Sequence, residues 1–385
     1  MKKQICILGS TGSIGTQALD VIEQHPDLYE VYCLTANNRV MELAQQARKF
    51  HPAAVVIANE DKYGELCALL DDQPDIKVYA GRDALNQIVE AEPIDMVLTA
   101  MVGFAGLTPT IHAIKSGKKI CLANKETLVV AGELICNLAQ QYHTPILPVD
   151  SEHSAIFQSI VGEGNNEVER ILLTCSGGPF RTFTDQQLCS VTAADALKHP
   201  TWTMGAKITI DSASLMNKGF EVIEAKWLFG VEADRIQVLV HPQSIVHSAV
   251  EFVDGSVKAQ LGVPDMRIPI GLAMTYPNRL HNPAPALDLL SCGPLTFDPI
   301  DEAAFPCFAL AKEAAKTGGT ACTAMNAANE EAVALYLQDR IGFYDIPDAV
   351  AAALRLPVTA EPSLDDIFEA DRLARAYTRE RFSDR

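Results

Sequence analysis

Acidic residues at the start of two predicted helices are the side chains in this sequence best suited to hold a metal ion. Asp150 and Glu152 lie two positions apart, where a predicted strand ends and a helix begins. In such a turn both carboxylates can converge on one cation, and their hard oxygens suit Mg²⁺ or Mn²⁺. The alternative is helix capping, with Asp150 or Ser151 as the cap and Glu152 in the first turn. The pair alone leaves both interpretations open.

A third carboxylate comes from the run IDSASLMNKGFE at 210–221. Glu221 lies at the start of a predicted helix, and it would complete a metal site with the first two acids. Glu224 lies one turn further along the same helix, and it could face solvent or pair with Lys226 instead. The sequence therefore favours Glu221 as the third ligand.

Polar side chains around the same helix start suit a phosphate. Ser212, Asn217 and Lys218 combine two neutral donors with a point charge. His199 could donate to a phosphate, or it could merely satisfy a loop carbonyl. Ser176 opens the run SGGPF, whose small residues permit close approach of a ligand to the backbone. A few such groups suffice for one small anionic substrate.

Two further residues lie where they could contact a substrate. Lys125, in the run NKE at 124–126, follows a predicted strand on the side where ligands bind in such sheets. As a lone feature it would more often be a solvated helix start. Trp202 lies on a loop flanked by Pro200 and Gly205, so it could close over a substrate and exclude water. The alternative for Trp202 is ordinary packing at a domain edge.

A glycine-rich turn follows the first predicted strand. The run GSTGSIG at 9–15 has the spacing G-x-x-G-x-x-G rather than the commoner G-x-G-x-x-G, and a helix follows it. Glycines let the backbone turn tightly and approach a pyrophosphate, whose charge lies at the helix N-terminus. The alternative is a turn that binds no ligand. The strand–turn–helix setting favours a dinucleotide site.

The residues after the second predicted strand indicate which dinucleotide binds. NAD enzymes usually place Asp or Glu there to bind the ribose 2′-hydroxyl. This chain carries Asn37, Asn38 and Arg39 instead, and these would bind a 2′-phosphate that a carboxylate would repel. The alternative is a helix-starting Asn with a solvated Arg39. The run favours NADP(H) over NAD.

These candidate residues need a scaffold of strands and helices to position them. Residues 4–150 alternate apolar runs with segments of helical period, which predicts an α/β domain with a Rossmann-like, doubly wound parallel sheet. The predicted strands are Gln4–Leu8, Val31–Thr35, Ala54–Ala58, Met96–Met101, Lys119–Ala123 and Ile146–Val149. The predicted helices include Thr16–Gln24, Val40–Phe50 and Thr127–Gln141.

Beyond residue 150 the pattern changes, and we predict four segments in all. An NADPH-binding domain occupies 1–150, and a catalytic domain that mixes α and β elements occupies 151–275. A proline-rich linker follows at 276–301. The Ala-rich remainder, 302–385, is predicted to form a C-terminal helical bundle.

Charge and composition argue against several classes of protein. The formal net charge is −18, whereas a broad nucleic-acid surface needs clustered cations. No stretch approaches the roughly 18 apolar residues that span a bilayer. No basic and then apolar segment opens the chain, so we expect a cytoplasmic protein. The ten cysteines include no C-x-x-C pair, which is typical of reduced thiols rather than disulfides or a zinc site.

A series of motifs, in this order, closely resembles the 1-deoxy-D-xylulose 5-phosphate reductoisomerase family. They are GSTGSIG at 9–15, LANKE at 122–126, PVDSEHSAIFQ at 148–158, SGGPF at 176–180, HPTW at 199–202, KITIDSASLMNKGFEVIEA at 207–225 and HPQSIVHS at 241–248. The resemblance covers essentially the whole chain and is weakest after about residue 340. It implies conversion of 1-deoxy-D-xylulose 5-phosphate to 2-C-methyl-D-erythritol 4-phosphate, in non-mevalonate isoprenoid biosynthesis. It also implies NADPH, a divalent ion (Mg²⁺, Mn²⁺ or Co²⁺) and a homodimer formed through the central domain.

The resemblance implies a role for each matching residue. Metal would be held by Asp150, Glu152 and Glu221, which with Lys125 would form the catalytic set. Substrate would be contacted by Lys125, Ser151, Glu152, Ser176, His199, Trp202 on a mobile lid, Ser212, Asn217, Lys218 and Glu221. NADPH would be contacted by Thr11, Gly12, Ser13, Ile14, Asn37, Asn38, Arg39, Asn124, Glu126 and Gly205. Family members often carry Gly-Lys-Asn where this chain has Asn37-Asn38-Arg39, which leaves open which side chain touches the 2′-phosphate.

Two other functions compete with this one. Another metal-assisted, NADP-dependent dehydrogenase of a sugar phosphate or hydroxy acid could use the same cofactor and cation. A catalytically silent NADP-binding sensor would need the glycine-rich turn, but it would not need three carboxylates beside a phosphate pocket.

Overall fold

The structure is a computed structural model that describes residues 2–164, 166–202 and 204–382. It divides into two compact units. The first comprises residues 1–127, 135–154 and 265–284, and the second comprises 128–134, 155–264 and 285–385. Residue 1, where the predicted first domain begins, and residues 383–385, where the predicted last domain ends, lie outside the described ranges. The bounds of the four predicted segments remain a prediction.

A parallel sheet forms the centre of the first unit. Its strands are β1 (Lys3–Leu8), β2 (Tyr29–Ala36), β3 (Ala54–Ile57), β4 (Lys77–Ala80), β5 (Met96–Thr99), β6 (Lys119–Leu122) and β7 (Ile146–Pro148). The seven strands lie in the order β4-β3-β2-β1-β5-β6-β7, and every neighbouring pair is parallel. Strands such as β3 and β5 are buried along their whole length, as a sheet covered on both faces requires. The turns that follow parallel strands leave from one edge, so this edge collects the residues after β1, β2, β6 and β7.

Helices connect these strands. They are α1 (Ser13–Gln24), α2 (Val40–Phe50), α3 (Tyr63–Leu69), α4 (Arg82–Ile88), α5 (Leu107–Lys115), α6 (Glu126–Gln141) and α7 (Ser151–Ile160). The apolar residues of α1 and α2 recur at helical spacing on one buried face, which is the pattern of a helix packed on a sheet. Residues 128–134 of α6 and 155–160 of α7 belong to the second unit.

The second unit combines a small mixed sheet with helices. Its strands are β8 (Val168–Cys175), β9 (Ile236–Val240), β10 (Val246–Phe252) and β11 (Val257–Leu261). The four strands lie in the order β11-β10-β8-β9, with β10 antiparallel to both neighbours and β8 parallel to β9. The remaining helices are α8 (Asp185–Leu188), α9 (Ala193–Ala196), α10 (Ala206–Ala213), α11 (Met216–Phe229), α12 (Arg267–Thr275), α13 (Pro306–Thr317), α14 (Ala321–Tyr336), α15 (Asp345–Ala353) and α16 (Leu364–Phe382). Of these, α12 belongs to the first unit.

Small residues allow the helices of the second unit to pack closely. A Cβ at Gly219 on α11 would lie 2.3 Å from the Ala311 Cβ on α13, so only glycine fits there. The Ala-rich α14 contributes an almost continuous buried surface, including Ala327, Ala328 and Ala332. Close packing of this kind makes the core sensitive to any added methylene group.

The predicted fold class is confirmed: a Rossmann-like parallel sheet is followed by an α+β part and by helices. The sequence patterns did not locate the short strands β4 and β11, nor several helices, among them α3, α4, α8, α9 and α15. Residues 276–301 contain no helix or strand, apart from an isolated bridge between Asp298 and Val240. Within the described residues, no helix is both long and apolar enough to cross a membrane.

Candidate active site

The glycine-rich turn lies between β1 and α1, and its three glycines have different reasons to be glycine. Gly9 has φ +86°, and a Cβ there would lie 2.7 Å from the Ala100 carbonyl oxygen. A Cβ at Gly15 would lie 2.4 Å from the Gly9 carbonyl oxygen. At Gly12 the nearest atom would be 3.4 Å away, and the backbone there is extended with φ −79°. Gly9 and Gly15 are therefore required by the turn itself, whereas Gly12 leaves open space at the N-terminus of α1, where an anion binds best.

Residues after β2 close one side of this turn. Arg39 is the residue before α2, and its Nη1 donates to the Thr11 carbonyl oxygen at 3.0 Å. Asn37 and Asn38 are exposed, and the Asn38 side chain accepts a hydrogen bond from Asn59. The turn, the cation and the two amides therefore lie together within the first unit. Asn59 could not be singled out from the sequence, because it lies just after β3 with no motif around it.

Asn124, after β6, has a structural role that its motif did not reveal. Its Nδ2 donates to Met101 O at 2.8 Å, to Gly103 O at 3.1 Å and to Glu126 Oε2 at 2.9 Å, and its Oδ1 accepts from Thr127 Oγ1. The side chain is 2% exposed. These bonds tie the segment after β5 to the start of α6. Contact of Asn124 and Glu126 with NADPH remains a prediction.

Lys125 and Asp150 form an ion pair where β6 and β7 end. The Lys125 Nζ contacts Asp150 Oδ2, and both side chains are largely buried. His153 Nδ1 lies 3.8 Å from the same carboxylate oxygen. Lys125 is therefore not a solvated helix start. Burying two charged groups carries a desolvation cost, and buried pairs of this kind are common at functional sites.

Ser151 and Glu152 form the first turn of α7. The Ser151 hydroxyl donates to Glu152 Oε2 at 2.6 Å, and the carbonyl of Asp150 accepts from Ser154 N at 2.8 Å. A carboxylate in the first turn is favoured by the helix dipole. The backbone carbonyl of Asp150 thus accepts the first hydrogen bond of α7, and its side chain pairs with Lys125.

In the second unit, Asn217, Lys218 and Glu221 form a buried polar group at the start of α11. Leu215 precedes this helix with φ +59°, a left-handed conformation that redirects the chain between α10 and α11. Asn217 Nδ2 donates to Glu221 Oε1 at 2.5 Å. Lys218 Nζ pairs with Glu221 Oε2 and donates to Thr174 O at 2.6 Å. Glu221 is 1% exposed, and these hydrogen bonds hold both of its carboxylate oxygens in place.

His199 connects Ser176 and Ser212 within the second unit. Its Nε2 lies 3.1 Å from Ser212 Oγ and 3.3 Å from Ser176 Oγ. Its Nδ1 accepts from the backbone N–H groups of Thr201 and Trp202 at 3.1 and 2.9 Å. Because Nδ1 accepts, the neutral ring carries its hydrogen on Nε2. Desolvation lowers the pKa of His199 to about 4, so at neutral pH this side chain is an uncharged donor.

The two glycines after Ser176 are required by the protein's own packing. Gly178 has φ +69°, and a Cβ there would lie 2.6 Å from the Ser212 carbonyl oxygen. Gly177 has φ +80°, and its Cβ would lie 2.9 Å from a Val240 methyl group. Other segments of this chain therefore approach these two glycines closely, as the small residues allow. This packing brings Ser176 and Ser212 together.

Trp202 is half-buried, and its ring lies 6.5 Å from that of His247. His247 is 8% exposed, and burial lowers its pKa. The motif that contains His247, HPQSIVHS at 241–248, gave no indication of its role. Gly205 precedes α10, with space for a Cβ. A mobile lid that carries Trp202 remains a prediction.

A second polar group on α10 also escaped sequence analysis. Asp211 is 1% exposed; its Oδ1 accepts from Asn329 Nδ2 on α14, and its Oδ2 pairs with Lys207, each at 2.8 Å. Asp211 lies next to Ser212 in the chain. The network therefore fixes the helix that presents Ser212, and only the position of Asp211 in the motif could have indicated it.

Comparisons with known proteins match the chain in three consecutive parts. The family model described as 1-deoxy-D-xylulose 5-phosphate reductoisomerase matches residues 5–132. The C-terminal domain model of the same enzyme matches 146–229, and the model described as DXP reductoisomerase C-terminal domain matches 261–377.

Relatives and solved structures cover nearly the whole chain. The 1-deoxy-D-xylulose 5-phosphate reductoisomerase of Bacteroides thetaiotaomicron is 62% identical, covering 98% of this chain and 97% of the relative. The corresponding Chloroherpeton thalassium protein is 51% identical, covering 97% of each. A solved Zymomonas mobilis structure in complex with NADPH is 43% identical, with a TM-score of 0.91 and 98% coverage of both chains. A crystal structure of DOX-P reductoisomerase in complex with NADPH, fosmidomycin and magnesium is 39% identical, with a TM-score of 0.94 and the same coverage. The chain belongs to the 1-deoxy-D-xylulose 5-phosphate reductoisomerase family.

Proposed function

We propose that this chain converts 1-deoxy-D-xylulose 5-phosphate to 2-C-methyl-D-erythritol 4-phosphate, using NADPH and a divalent metal ion. The observation that carries the proposal is the fixed carboxylate of Glu221 beside Asn217 and Lys218, in a chain that also carries a dinucleotide turn. A nucleotide-binding protein without chemistry has no need of such a group. The family membership and the NADPH and magnesium in relatives' structures support the same assignment.

The metal ligands in this proposal are Asp150, Glu152 and Glu221. The donor set fits Mg²⁺ or Mn²⁺, with Co²⁺ also possible, because three carboxylates supply only hard oxygen atoms. Asp150 and Glu221 each have a lysine partner, and these cations offset the cost of burying negative charge. The proposal requires the lysines to make room for the metal or to turn toward the substrate.

The metal, when bound, supplies Lewis-acid stabilisation of the developing oxyanion, and NADPH supplies the hydride. The chain's own residues bind and orient the substrate. Lys125, Ser151 and Glu152 contact its carbon backbone, and so do Asn217, Lys218 and Glu221. Positioning by several such contacts lowers the barrier to the rearrangement, since the reacting groups no longer need to find one another.

The phosphate of the substrate binds to Ser176, His199, Ser212, Asn217 and Lys218 in this proposal. His199 contributes an N–H donor rather than a charge, and Lys218 contributes the cation. Trp202 lies three residues after His199, and its backbone N–H donates to the His199 ring, so phosphate binding and the position of Trp202 are coupled. Trp202 would then exclude water from the site.

NADPH contacts Thr11, Gly12, Ser13, Ile14, Asn37, Asn38, Arg39, Asn124, Glu126 and Gly205 in this proposal. We further propose that the protein acts as a homodimer in the cytoplasm. Analytical ultracentrifugation across a range of concentrations tests the dimer.

Incubation with 1-deoxy-D-xylulose 5-phosphate, NADPH and Mg²⁺ tests the function. We expect a fall in NADPH absorbance together with the rearranged, reduced product identified by mass spectrometry and NMR. Reduction without rearrangement would favour a simple dehydrogenase. NADPH binding with no turnover of any sugar phosphate would favour a sensor. Omission of the metal is the control, and we expect no product without it.

A further inference from the structure

The ends of β2 and β3 place two asparagines side by side in the first unit. Asn38 follows β2, and Asn59 follows β3. Backbone hydrogen bonds continue the pairing beyond the two strands, from Ala58 N to Ala36 O at 2.8 Å and from Asn59 N to Asn37 O at 3.3 Å. The position of Asn59 beside Asn38 is therefore set by the sheet.

A chain of hydrogen bonds orients both side-chain amides. Asn59 precedes the short 3₁₀ helix Glu60–Lys62, and its Oδ1 accepts from the Asp61 backbone N–H at 3.0 Å. A backbone N–H can only donate, so this bond identifies the oxygen of Asn59. The Nδ2 of Asn59 is then the atom that donates to Asn38 Oδ1 at 2.8 Å.

This orientation has a chemical consequence for Asn38. Unlike Lys or Arg, an Asn side chain can present either a donor or an acceptor to a ligand. With its oxygen bound by Asn59, Asn38 presents its Nδ2–H donors. A phosphate offers only acceptor oxygens at neutral pH, and hydrogen bonds to a charged acceptor are about twice as strong as neutral ones. The opposite orientation would place an oxygen against the phosphate and repel it.

We propose that Asn59 is a positioning residue for cofactor selectivity, because it holds the Asn38 amide with its donors directed to the 2′-phosphate of NADPH. This inference rests on the proposed function, which supplies NADPH as the cofactor. Arg39 acts alongside: its guanidinium is bound to Thr11, so it brings positive charge to the turn, while Asn38 provides an oriented hydrogen bond.

Two substitutions at Asn59 test the inference by direct binding. Asn59→Ser keeps an oxygen able to cap Asp61 but lacks the amide that reaches Asn38. Asn59→Asp keeps the shape and the cap but offers an acceptor, which turns Asn38 around. Titration with NADPH and with NADH, followed by nucleotide fluorescence and calorimetry, gives the dissociation constants. We expect Asn59→Ser to weaken NADPH binding about tenfold, as for one hydrogen bond to a charged group, with NADH binding changed by less than about twofold. Asn59→Asp should weaken NADPH binding more.

A double-mutant cycle with Asn38→Ala separates positioning from direct contact. If Asn59 acts through Asn38, Asn59→Ser has no further effect on NADPH binding in the Asn38→Ala protein. Additive losses would show that Asn59 binds the phosphate itself, and equal losses for NADPH and NADH would show a merely structural role; either result overturns the inference. Asn278→Ser, at an exposed asparagine of the same unit, is the matched control. Wild-type protein that does not bind NADPH would instead refute the proposed function.

Discussion

Asn217 and Glu221 lie one helical turn apart on α11, and the Asn217 amide donates to one oxygen of Glu221 at 2.5 Å. Lys218 contacts the other oxygen. A carboxylate held on both sides loses little further conformational entropy when it binds a ligand, because most of that entropy is already lost on folding. This relationship makes Glu221 the side chain whose replacement is most informative.

We predict that Glu221→Gln lowers kcat by at least about a hundredfold, since several kcal/mol of Lewis-acid stabilisation depend on the metal being held correctly. NADPH binding should stay within about twofold of wild type, because the nucleotide contacts lie elsewhere. Steady-state kinetics and NADPH titration measure the two effects. Glu313→Gln, at an exposed position of α13, is the control. Near-normal turnover of Glu221→Gln would remove this residue from the metal site.

Substitutions at two glycines of the nucleotide turn should distinguish an effect on NADPH binding from an effect on folding. Gly12→Ala should fold normally and weaken NADPH binding about tenfold or more, because its Cβ would make only an ordinary contact in the protein, 3.4 Å from the Gly9 carbonyl oxygen, but would occupy the volume of the pyrophosphate. Gly15→Ala should lower the free energy of unfolding by about 1–3 kcal/mol or more, as for other overpacked sites.

Chemical denaturation and NADPH titration of both glycine variants provide the comparison. Thermal unfolding of Gly12→Ala should match wild type when no nucleotide is added. If Gly12→Ala unfolds as easily as Gly15→Ala, the glycine is required by the turn and not by the ligand.

The pH dependence of stability should carry a contribution from His199. Its pKa of about 4 in the folded protein lies below the ordinary value near 6.5, so the unfolded chain binds a proton more readily between these values. The contribution is fully present above about pH 6.5, and it is lost as the pH falls toward 4. His199→Asn retains an acceptor for Thr201 and Trp202 but does not titrate. Denaturation between pH 4.5 and 8 should therefore show a shallower loss for this variant than for wild type. Equal slopes would contradict the assignment.

The buried pair Asp211–Asn329 should contribute to stability. We predict that Asn329→Leu lowers the free energy of unfolding by about 1–3 kcal/mol, because a buried carboxylate oxygen loses its donor. Asn329→Asp should cost more, since it places a second carboxylate against Asp211 in a buried site. Urea denaturation gives both values. An Asn329→Asp protein as stable as Asn329→Leu would mean that the carboxylate of Asp211 does not depend on this partner.

Much of the fold follows from local patterns. Continuous apolar runs between segments of helical period indicated β1, β2, β3, β5, β6 and β7. Strands that are buried on both faces are apolar along their whole length, so they stand out as such runs. The short β4 was missed because its side chains alternate between half-buried and exposed at the edge of the sheet. Short elements carry too few residues for a period to be recognised.

The sequence singles out the candidate site residues because their types are chemically unusual in their setting. Lys125, Asp150 and Glu221 are charged residues beside apolar strands or within buried helices, where the charge must be paired. Their partners could not be predicted in the same way. Asn59 and Asn329 act through contacts made far along the chain, with separations of 21 and 118 residues. Outside a recognisable motif, as at these two positions, an amide gives no signal of its own in a sequence.

The strand order of the first unit also fixes a length. The glycine turn follows β1 and Asp150 follows β7, and β5 and β6 lie between these strands. Three strand spacings of about 4.8 Å separate the two points, or roughly 14 Å. On the other side of the turn, Asn38 and Asn59 lie one and two strands away. If NADPH binds as proposed, with its adenylate end beside the residues that follow β2 and β3, only an extended dinucleotide would bring its nicotinamide ring to the strands that precede Lys125 and Asp150.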